Sequence, residues 1–536
     1  MTVIGVVVPQ ITTELGSLSD VGWYGSAYFL AAAASQLAFG ALNRVVPHKY
    51  VYTVGVFIFE LGCLISGLAT SSKMCIVGRA ISGLGSSGIV STSLVYASDK
   101  YSTPKRLPFM IGALGSLELV GQITGPLIGG GFATNVSWRW CFLINVPLGV
   151  VAGLTVFLLL RGSKQAPWSD ILTGLRTIDA VGILLTIPGS AAILFVIQSG
   201  GNTFAWDSPT IIGLAVAGGV LLVILFFWER SRGDLAVLPF KLFRNRNVVF
   251  GATFAVGVNM AVSLFDYFVP FWNETIRGIS PERAGILLLP LVSCSAFAVI
   301  AGGSLATYLG RTNPVMIIGG ALVIAVSVLL SSINASASES RVLGYSALAG
   351  ISALATQQPY VVAHSSVEKD LSPTAISLML FSGMSGSAVG LAMAQAIFIN
   401  QLHDNLDPVE GINVAAIIGS GATELRNVVP TDKLEQVLKL YNLSLVQVFY
   451  VSVGAGCLML ASGCLVSWRR TENDDSDRLL HEESAESTQN VQKTQENEKN
   501  QSKAETNALT VTPYVTLIVR IHGRRETLCI GIFNPV

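Results

Sequence analysis

The stretch GQITGPLIGG, residues 121–130, decides what kind of fold this sequence can adopt. It places four glycines and a proline, the residues least suited to a helix interior in water, inside an uncharged apolar run. In a lipid bilayer, small residues at every fourth position let two helix backbones touch, and Gly121, Gly125 and Gly129 have that spacing. Pro126 adds a kink that neighbouring helices can tolerate. The stretch indicates a bent membrane helix, built either for packing alone or as a gate where two halves meet.

The overall composition also points to the membrane. Of the 536 residues, 51% are hydrophobic and only 12% are charged, whereas soluble domains carry about 25% charged residues. The formal net charge of zero argues against nucleic acid as a partner. The seven cysteines form no metal-ligand cluster in the sequence, and we expect them to be small hydrophobes inside the fold.

Thirteen segments are long and apolar enough to cross a bilayer, whose hydrocarbon core needs about 20 residues of helix. These predicted spans lie near 22–42, 51–71, 74–97, 108–133, 140–160, 178–198, 209–228, 248–271, 283–307, 313–333, 342–363, 374–399 and 446–468. The opening MTVIGVVVPQI (1–11) is apolar but too short to cross, and it lacks the basic flank of a signal peptide. We interpret it as the back half of a further span, truncated in the gene model, which predicts fourteen spans in the intact protein.

The loops between the spans predict an orientation. With the N-terminus inside, the inner loops carry most of the lysines and arginines, as the positive-inside rule requires. The glycosylation sequons at Asn135, Asn273, Asn334 and Asn442 then fall in outer segments, and we expect these asparagines to carry glycans.

Three segments are not spans. Residues 400–442 form a long outer loop, which runs into an amphipathic pattern (TDKLEQVLKLYNLSLVQ, 431–447) that predicts a helix along the membrane surface. Residues 469–508 are rich in charged and polar residues and are predicted to be disordered. The last 27 residues (510–536) turn apolar again and resemble a strand more than a span, and we interpret them as an intron read as coding sequence.

Several motifs together resemble one family. The pattern of Gly121, Gly125, Pro126, Gly129 and Gly130 is similar to the antiporter signature in the fifth helix of major facilitator superfamily exporters, and it lies in the fifth span once the truncated first one is counted. Other segments resemble the fourteen-span drug–proton antiporters of that superfamily, and particularly its fungal members. These segments are VGWYGSAYFL (21–30), FIFELGCLISG (57–67), VGRAISGLGSSG (77–88), WRWCFLINVPLG (138–149) and QQPYVVA (357–363).

The resemblance covers about residues 1–470 and implies an all-α polytopic membrane protein with the major facilitator fold. It implies 6+2+6 transmembrane helices with the first span truncated. An N-terminal six-helix bundle would occupy 1–160, two linker helices with cytoplasmic loops 161–247, and a C-terminal six-helix bundle 248–468. The cytoplasmic tail would be 469–536.

One loop departs from the family's pattern. Between the second and third helices the family reads G-x-L-x-D-R-x-G-R-K/R, whereas this chain reads GALNRVVPHK (40–49). The acid is missing from residues 40–49, Pro47 replaces the glycine and His48 a basic residue. The loop is thought to latch the cytoplasmic gate, so its electrostatics must differ here.

Three charged residues within spans are candidates for proton coupling, because a charge at the bilayer centre costs at least about 2.5–3.5 kcal/mol. The resemblance gives Arg79 a part in proton transfer, with a structural ion pair as the alternative. Glu118 lies three residues before Gly121 and would either exchange a proton with the cavity or pair with Arg79. Asp266 lies between aromatics in SLFDYFVPFW, either in an apolar setting or near the outer water boundary.

Four glutamines within spans are candidates for the substrate path: Gln36, Gln122, Gln357 and Gln358. A hydrogen bond between helices would explain any one of them equally well. Gln357 and Gln358 are the strongest candidates, because the proline that follows them leaves unsatisfied carbonyl groups nearby.

The sequence contains no Walker loop, metal cluster or catalytic triad, so we predict neither an enzyme nor a bound cofactor or metal. The resemblance implies a monomeric, proton-coupled exporter that moves a toxin, secondary metabolite or drug across the plasma membrane by alternating access. The vacuolar membrane is the alternative location. Other possibilities are a siderophore or basic amino-acid transporter, a non-transporting receptor or sensor, and an inactive gene product.

Overall fold

The computed structural model describes residues 11, 14–15, 21–101, 106–159, 178–200, 204–233, 236–279, 281–409, 429–430, 433–468, 518–521 and 524–527. The chain divides into two units, Met1–Arg469 and Arg470–Val536. The first unit is helical throughout the described residues, apart from turns and loops.

The first helices of this unit form the N-terminal bundle. They are α1 (Val21–Val45), α2 (His48–Gly67), α3 (Ser72–Lys100), α4 (Leu107–Asn135), α5 (Trp140–Leu143) and α6 (Asn145–Leu159). Helix α3 begins where its apolar pattern begins, and Ser71 caps it by accepting a hydrogen bond from the Met74 amide. Helices α2 and α3 touch along their backbones, because Gly62 and Gly78 leave no side chain between them.

Two helices follow as a pair, α7 (Ala180–Ser199) and α8 (Pro209–Arg232). Asp179 caps α7 and also accepts hydrogen bonds from the indole nitrogen of Trp228 on α8, at 2.8 and 3.0 Å. Helix α8 ends at Gly233, whose φ of 61° suits only a residue without a side chain. The pair packs against α1, where the rings of Trp23 and Phe195 stack at 4.9 Å.

The remaining helices form the C-terminal bundle, which α9 (Phe240–Arg244) precedes. They are α10 (Arg246–Arg277), α11 (Pro281–Leu309), α12 (Asn313–Ser331), α13 (Glu339–Ser352), α14 (Gln358–Ser366), α15 (Ser372–Leu406), α16 (Leu434–Val446) and α17 (Phe449–Leu465). One hydrophobic cluster, from Phe254 to Val466, forms the core of this bundle.

The helices follow the predicted spans closely. Among the described residues, eleven helices are long and apolar enough to cross a bilayer. The predicted span near 108–133 is the continuous helix α4, and the one near 342–363 is broken, because Pro359 starts α14 after a short 3₁₀ turn at Ala353–Ala355. The all-helical membrane fold is confirmed. The 6+2+6 count stays a prediction, because the truncated first span lies outside the described residues except for Ile11.

The two bundles meet at their inner ends, the side predicted to carry the basic loops. Gly40 of α1 lies against Ser377 of α15, and Gly303 of α11 lies against Pro108 of α4. An apolar cluster joins the bundles there, and we call it the inner seal. It includes Leu37, Leu94 and Ile111 from the N-terminal bundle, Val237 and Leu242 from the linker, and Tyr360, Ile376 and Met379 from the C-terminal bundle.

The amphipathic pattern near 431–447 forms helix α16, but its apolar face is turned to the protein. Val437, Tyr441 and Leu445 are buried in the core of the C-terminal bundle, while Glu435 and Lys439 form an exposed pair at 2.7 Å. The expected helix along the membrane surface is therefore corrected, because the bundle covers the face that lipid would have contacted.

In the second unit, the described residues form an antiparallel hairpin of β1 (Ile518–Ile521) and β2 (Arg524–Thr527). The prediction that the final segment resembles a strand is confirmed for these residues. The predicted disorder of 469–508 lies outside the described residues.

Candidate functional site

Glu118 is an exposed carboxylate at the place where the two bundles face each other. It lies on α4, within electrostatic range of Tyr28 on α1 and of Tyr360 on α14. One helical turn earlier on α4, the side-chain amide of Gln357, the residue just before α14, lies against Gly115. We call Tyr28, Glu118, Gln357 and Tyr360 the central site, because helices of both bundles supply it.

Arg79 lies behind this site, inside the N-terminal bundle. Its side chain is buried on α3, and Nε donates a hydrogen bond to the carbonyl oxygen of Tyr24 at 2.9 Å. Its guanidinium carbon lies 4.6 Å from the ring centre of Tyr28, close enough for a cation–π interaction. Tyr28 thus contacts Arg79 with its ring and lies within electrostatic range of Glu118.

Asp266 lies in the other bundle, on α10, and is half-buried. Asn259 and Ser263 share its helix face, at the spacing that aligns side chains along a helix. Ser263 donates a hydrogen bond to the hydroxyl of Ser387 on α15 at 2.6 Å. Among the described residues, Asp266 has no hydrogen-bond or ion-pair partner, so this carboxyl is available to a proton or a ligand.

Residues 1–391 match the family model described as Major Facilitator Superfamily. The chain belongs to the major facilitator superfamily. The family that the helix motifs predicted is thereby confirmed.

Several fungal members of the superfamily are similar over most of their length. The MFS-type transporter astH of Aspergillus oryzae is 35% identical over 470 residues, which cover 87% of this chain and 83% of that protein. The rubrofusarin-specific efflux pump aurT of Gibberella zeae is 34% identical, covering 88% and 87%. The efflux pump aflT of Aspergillus parasiticus is 34% identical, covering 88% and 93%. These relatives are transporters and efflux pumps, so the chain is a multi-pass membrane transporter and not an enzyme.

Solved structures support the fold alone. The human organic anion transporter MFSD10 has a TM-score of 0.52 at 13% identity, over 87% of this chain and 89% of that one. The proton:xylose symporter XylE has a TM-score of 0.52 at 11% identity, over 88% and 93%. At such identities the likeness carries no information about the cargo.

The glycine motif of this superfamily member lies on the outer half of α4, which runs unbroken through it. At Gly121, no atom of the described residues lies within 4 Å of the position that a Cβ would take, so none of them makes the close packing expected there. Gly125 is buried. The side-chain positions of Pro126, Gly129 and Gly130 lie outside the described residues.

The glutamine candidates have different surroundings. Gln36 and Gln358 are completely buried, and neither amide group has a hydrogen-bond partner among the described residues. Gln357 belongs to the central site. Gln122 lies on α4, with its side chain outside the described residues. An unpaired buried amide costs about 1–3 kcal/mol, so Gln36 and Gln358 favour any state of the transporter that gives them a partner.

The structure argues against two of the predicted glycosylation sites. Asn442 is buried, where it accepts a hydrogen bond from Trp272 at 2.6 Å and donates one to the carbonyl oxygen of Ile333 at 2.9 Å. Asn273 is also buried, inside α10. Neither amide has room for a glycan in the folded protein. Asn334 is exposed between α12 and α13, and for Asn135 only the helix end is described.

A polar clamp lies at the outer face, where the sequence suggested no interaction. Glu14 accepts a hydrogen bond from Arg139 at 2.6 Å and another from the indole of Trp138 at 2.5 Å. Arg139 also donates to the carbonyl oxygen of Ala69 at 2.6 Å. The hydrogen bonds from Trp138 and Arg139 lower the pKa of Glu14 below its ordinary value. The clamp ties the segment before α1 to the turns after α2 and α4.

The sequence did not point to Tyr28 and Tyr360 as site residues. Aromatic residues are common in membrane helices, and nothing in the local pattern separates these two from lipid-facing or core rings. The one available signal was the acid itself, because a carboxyl group within a span demands polar neighbours.

Proposed function

We propose that this transporter is a proton-coupled exporter of small, largely apolar molecules. The observation that carries the proposal is the position of Glu118, an exposed carboxylate between the two bundles with polar neighbours from both. A carboxyl group in a membrane interior exists for a function, because its charge is costly there. The named cargo of the Gibberella zeae relative, rubrofusarin, supports a secondary metabolite as the cargo here.

The mechanism follows from which ends of the bundles are in contact. The inner seal is closed, whereas no described residue packs against α4 at Gly121, toward its predicted outer end. Glu118 would therefore take up a proton while the site faces outward. Rocking of the bundles would then break the inner seal, and the proton would leave as cargo enters from the inside. Each turn of this cycle would exchange protons moving inward for cargo moving outward.

We further propose that the protein acts as a monomer in the plasma membrane, with the vacuolar membrane as the alternative. Asp266 would be a second proton-coupling residue, and Gln357 a cargo contact. Gln36 and Gln358 would contact cargo only after the inner seal opens, since both are fully buried while it is closed.

The test uses purified protein in vesicles loaded with rubrofusarin, with the outside made more acidic. We expect proton-driven release by the wild type, with accompanying proton uptake, and loss of both in Glu118→Gln. Glu435→Gln is the matched control, because Glu435 is an exposed acid on α16 far from the bundle interface. Release that persists in Glu118→Gln would overturn the role of Glu118.

A second set of vesicles, loaded with lysine, separates the alternatives. Proton-driven lysine movement without rubrofusarin movement would favour a basic amino-acid transporter. Binding of rubrofusarin without movement of either compound would favour a receptor or sensor.

A further inference from the structure

The inner ends of α1, α2 and α3 hold a hydrogen-bonded network around His48, the residue that departs from the family's basic position. The ring nitrogen Nε2 of His48 lies 2.9 Å from Oδ2 of Asp99 on α3. The other ring nitrogen, Nδ1, lies 3.4 Å from Oδ1 of Asn43 at the end of α1. The ring thus connects an acid at the inner surface with an amide that is buried.

The network continues from Asn43 to the other bundle. Asn43 also accepts a hydrogen bond from the Thr92 hydroxyl at 3.1 Å and donates one to the Ser91 hydroxyl at 3.3 Å. The Ser91 hydroxyl is 2.9 Å from that of Ser377 on α15. This contact crosses between the bundles, at the level where Gly40 lies against Ser377. A change at His48 can therefore reach the inner seal through two intervening residues.

The protonation state of His48 decides how many of these bonds form. The carboxylate of Asp99 only accepts, and Oδ1 of Asn43 also accepts, in the amide orientation that bonds to Thr92 and Ser91. A neutral imidazole has one N–H group and can donate to only one of the two. The imidazolium ion has two N–H groups and donates to both, and its charge strengthens the bond to Asp99.

Among the described residues, several other titratable groups surround this pair, and His364 on α14 lies within electrostatic range of Asp99. On α3, Tyr96 packs edge-on to the His48 ring with centres 6.2 Å apart, and Lys100 lies beside the Tyr96 hydroxyl at 3.4 Å. On its own helix, Lys49 lies over the ring of Phe157 of α6 at 4.0 Å. On α1, Arg44 donates to the carbonyl oxygen of Ala236 in the linker at 3.3 Å. Asp99 is the acid that pairs with His48.

We propose that His48 is a positioning residue of the inner gate, and that its protonation from the cytoplasmic side tightens the contact between Ser91 and Ser377. The proposal rests on the alternating cycle of the proposed function. Histidine is the side chain whose charge ordinarily changes within the range of cellular pH. In this chain, acidification of the inside therefore holds the inner gate shut and slows the loading of cargo. A more alkaline inside lets the inner gate open.

The first experiment measures rubrofusarin export at a constant pH difference, while the pH of both sides is shifted from about 6 to about 8. We expect the wild-type rate to rise about fivefold over this range, the factor that one hydrogen bond of ordinary net strength supplies. His48→Arg keeps a permanent charge and should be uniformly slow, whereas His48→Gln should be uniformly fast. His403→Gln is the control, because His403 is exposed near the opposite end of α15 and should keep the wild-type profile.

The second experiment reads the gate directly. Spin labels at Arg106→Cys and Lys369→Cys, exposed inner positions on opposite bundles, are placed in a cysteine-free background that retains transport. We expect the longer distance to become more populated as pH rises in the wild type, and this change to be lost in His48→Arg and in Asp99→Asn.

The outcomes separate the two proposals. Absence of proton-driven export in the wild type overturns the proposed function, whereas the spin labels still test the role of His48 at the inner gate. The role of His48 alone is overturned if export is proton-driven but has the same pH profile in the wild type and in His48→Arg. It is also overturned if the distances between the labels do not respond to pH.

Discussion

The side-chain amide of Gln357 lies directly against the bare backbone of Gly115, one helical turn before Glu118. This contact joins the residue just before α14 of the C-terminal bundle to α4 of the N-terminal bundle beside the one exposed acid of the central site. A side chain at position 115 would therefore displace the Gln357 amide from the place where the two bundles meet near Glu118.

A side chain at position 115 should open this contact. In Gly115→Ala the new methyl group collides with the Gln357 amide, and overpacking of this kind costs about 1–3 kcal/mol. We expect the conformation with the inner seal closed to lose about tenfold in population, measured by spin labels across the inner ends, and export to slow. Gly219→Ala on α8, where no atom lies within 4 Å of the added methyl, is the control. Equal behaviour of the two variants would show that the contact does not hold the bundles together.

The hydroxyl and the ring of Tyr28 should be separable by substitution. Tyr28→Phe keeps the ring beside Arg79 but removes the hydroxyl group, so thermal stability should stay near that of the wild type while the pH dependence of export changes. Tyr28→Leu removes the cation–π interaction as well and should lower the free energy of unfolding by about 1–2 kcal/mol. Unfolding in detergent and export across a pH series are the two measurements. If Tyr28→Phe keeps the wild-type pH profile, the hydroxyl group of Tyr28 has no part in proton coupling.

The outer clamp should make the protein sensitive to acid. The pKa of Glu14 is lowered from its ordinary value of 4.5 in the folded protein, so the folded state binds the proton more weakly than the unfolded state does. The clamp therefore contributes stability above about pH 4.5, and this contribution is lost as pH falls through the lowered pKa. We expect the melting temperature of Glu14→Gln to fall less between pH 6 and pH 3.5 than that of the wild type. Glu339→Gln, an outer-side acid paired with Arg277 at 3.3 Å, serves as the comparison. Parallel curves for Glu14→Gln and the wild type would contradict the role of the clamp.

The buried asparagines make a prediction about glycans. Asn334→Gln should reduce the mobility shift that glycosidase treatment produces, since Asn334 is the exposed sequon residue among the three whose side chains are described. Asn442→Gln should leave that shift unchanged. Asn442→Ala should instead destabilise the protein by about 1–3 kcal/mol, because the indole N–H of Trp272 loses its acceptor. A shift that disappears in Asn442→Gln would show that the asparagine is accessible when glycans are attached.

Much of the secondary structure could be predicted because its causes are local. The length of each apolar run determined where helices such as α8 and α10 lie, and the 3.6-residue period of 431–447 predicted α16. The predicted environment of α16 was wrong, because a local pattern shows that a face is apolar but not whether lipid or protein covers that face. The sequons failed for a similar reason. The Asn-x-Ser pattern predicts that Asn442 carries a glycan, but its burial depends on α10 and on the turn after α12, which are distant in the chain.

The sequence by itself determined that this protein crosses a membrane many times, that it belongs with the superfamily's exporters, and that Arg79, Glu118 and Asp266 carry costly charges within spans. Only the tertiary structure decided which groups meet these charges and which ends of the bundles are closed. Tyr28 and Tyr360 lie within electrostatic range of Glu118 from helices far apart in the chain, and Ser91 contacts Ser377 across the bundle interface. The physical reason is that apolar length and helical period act within one segment, whereas polar contacts in a bundle depend on how every helix packs against its neighbours.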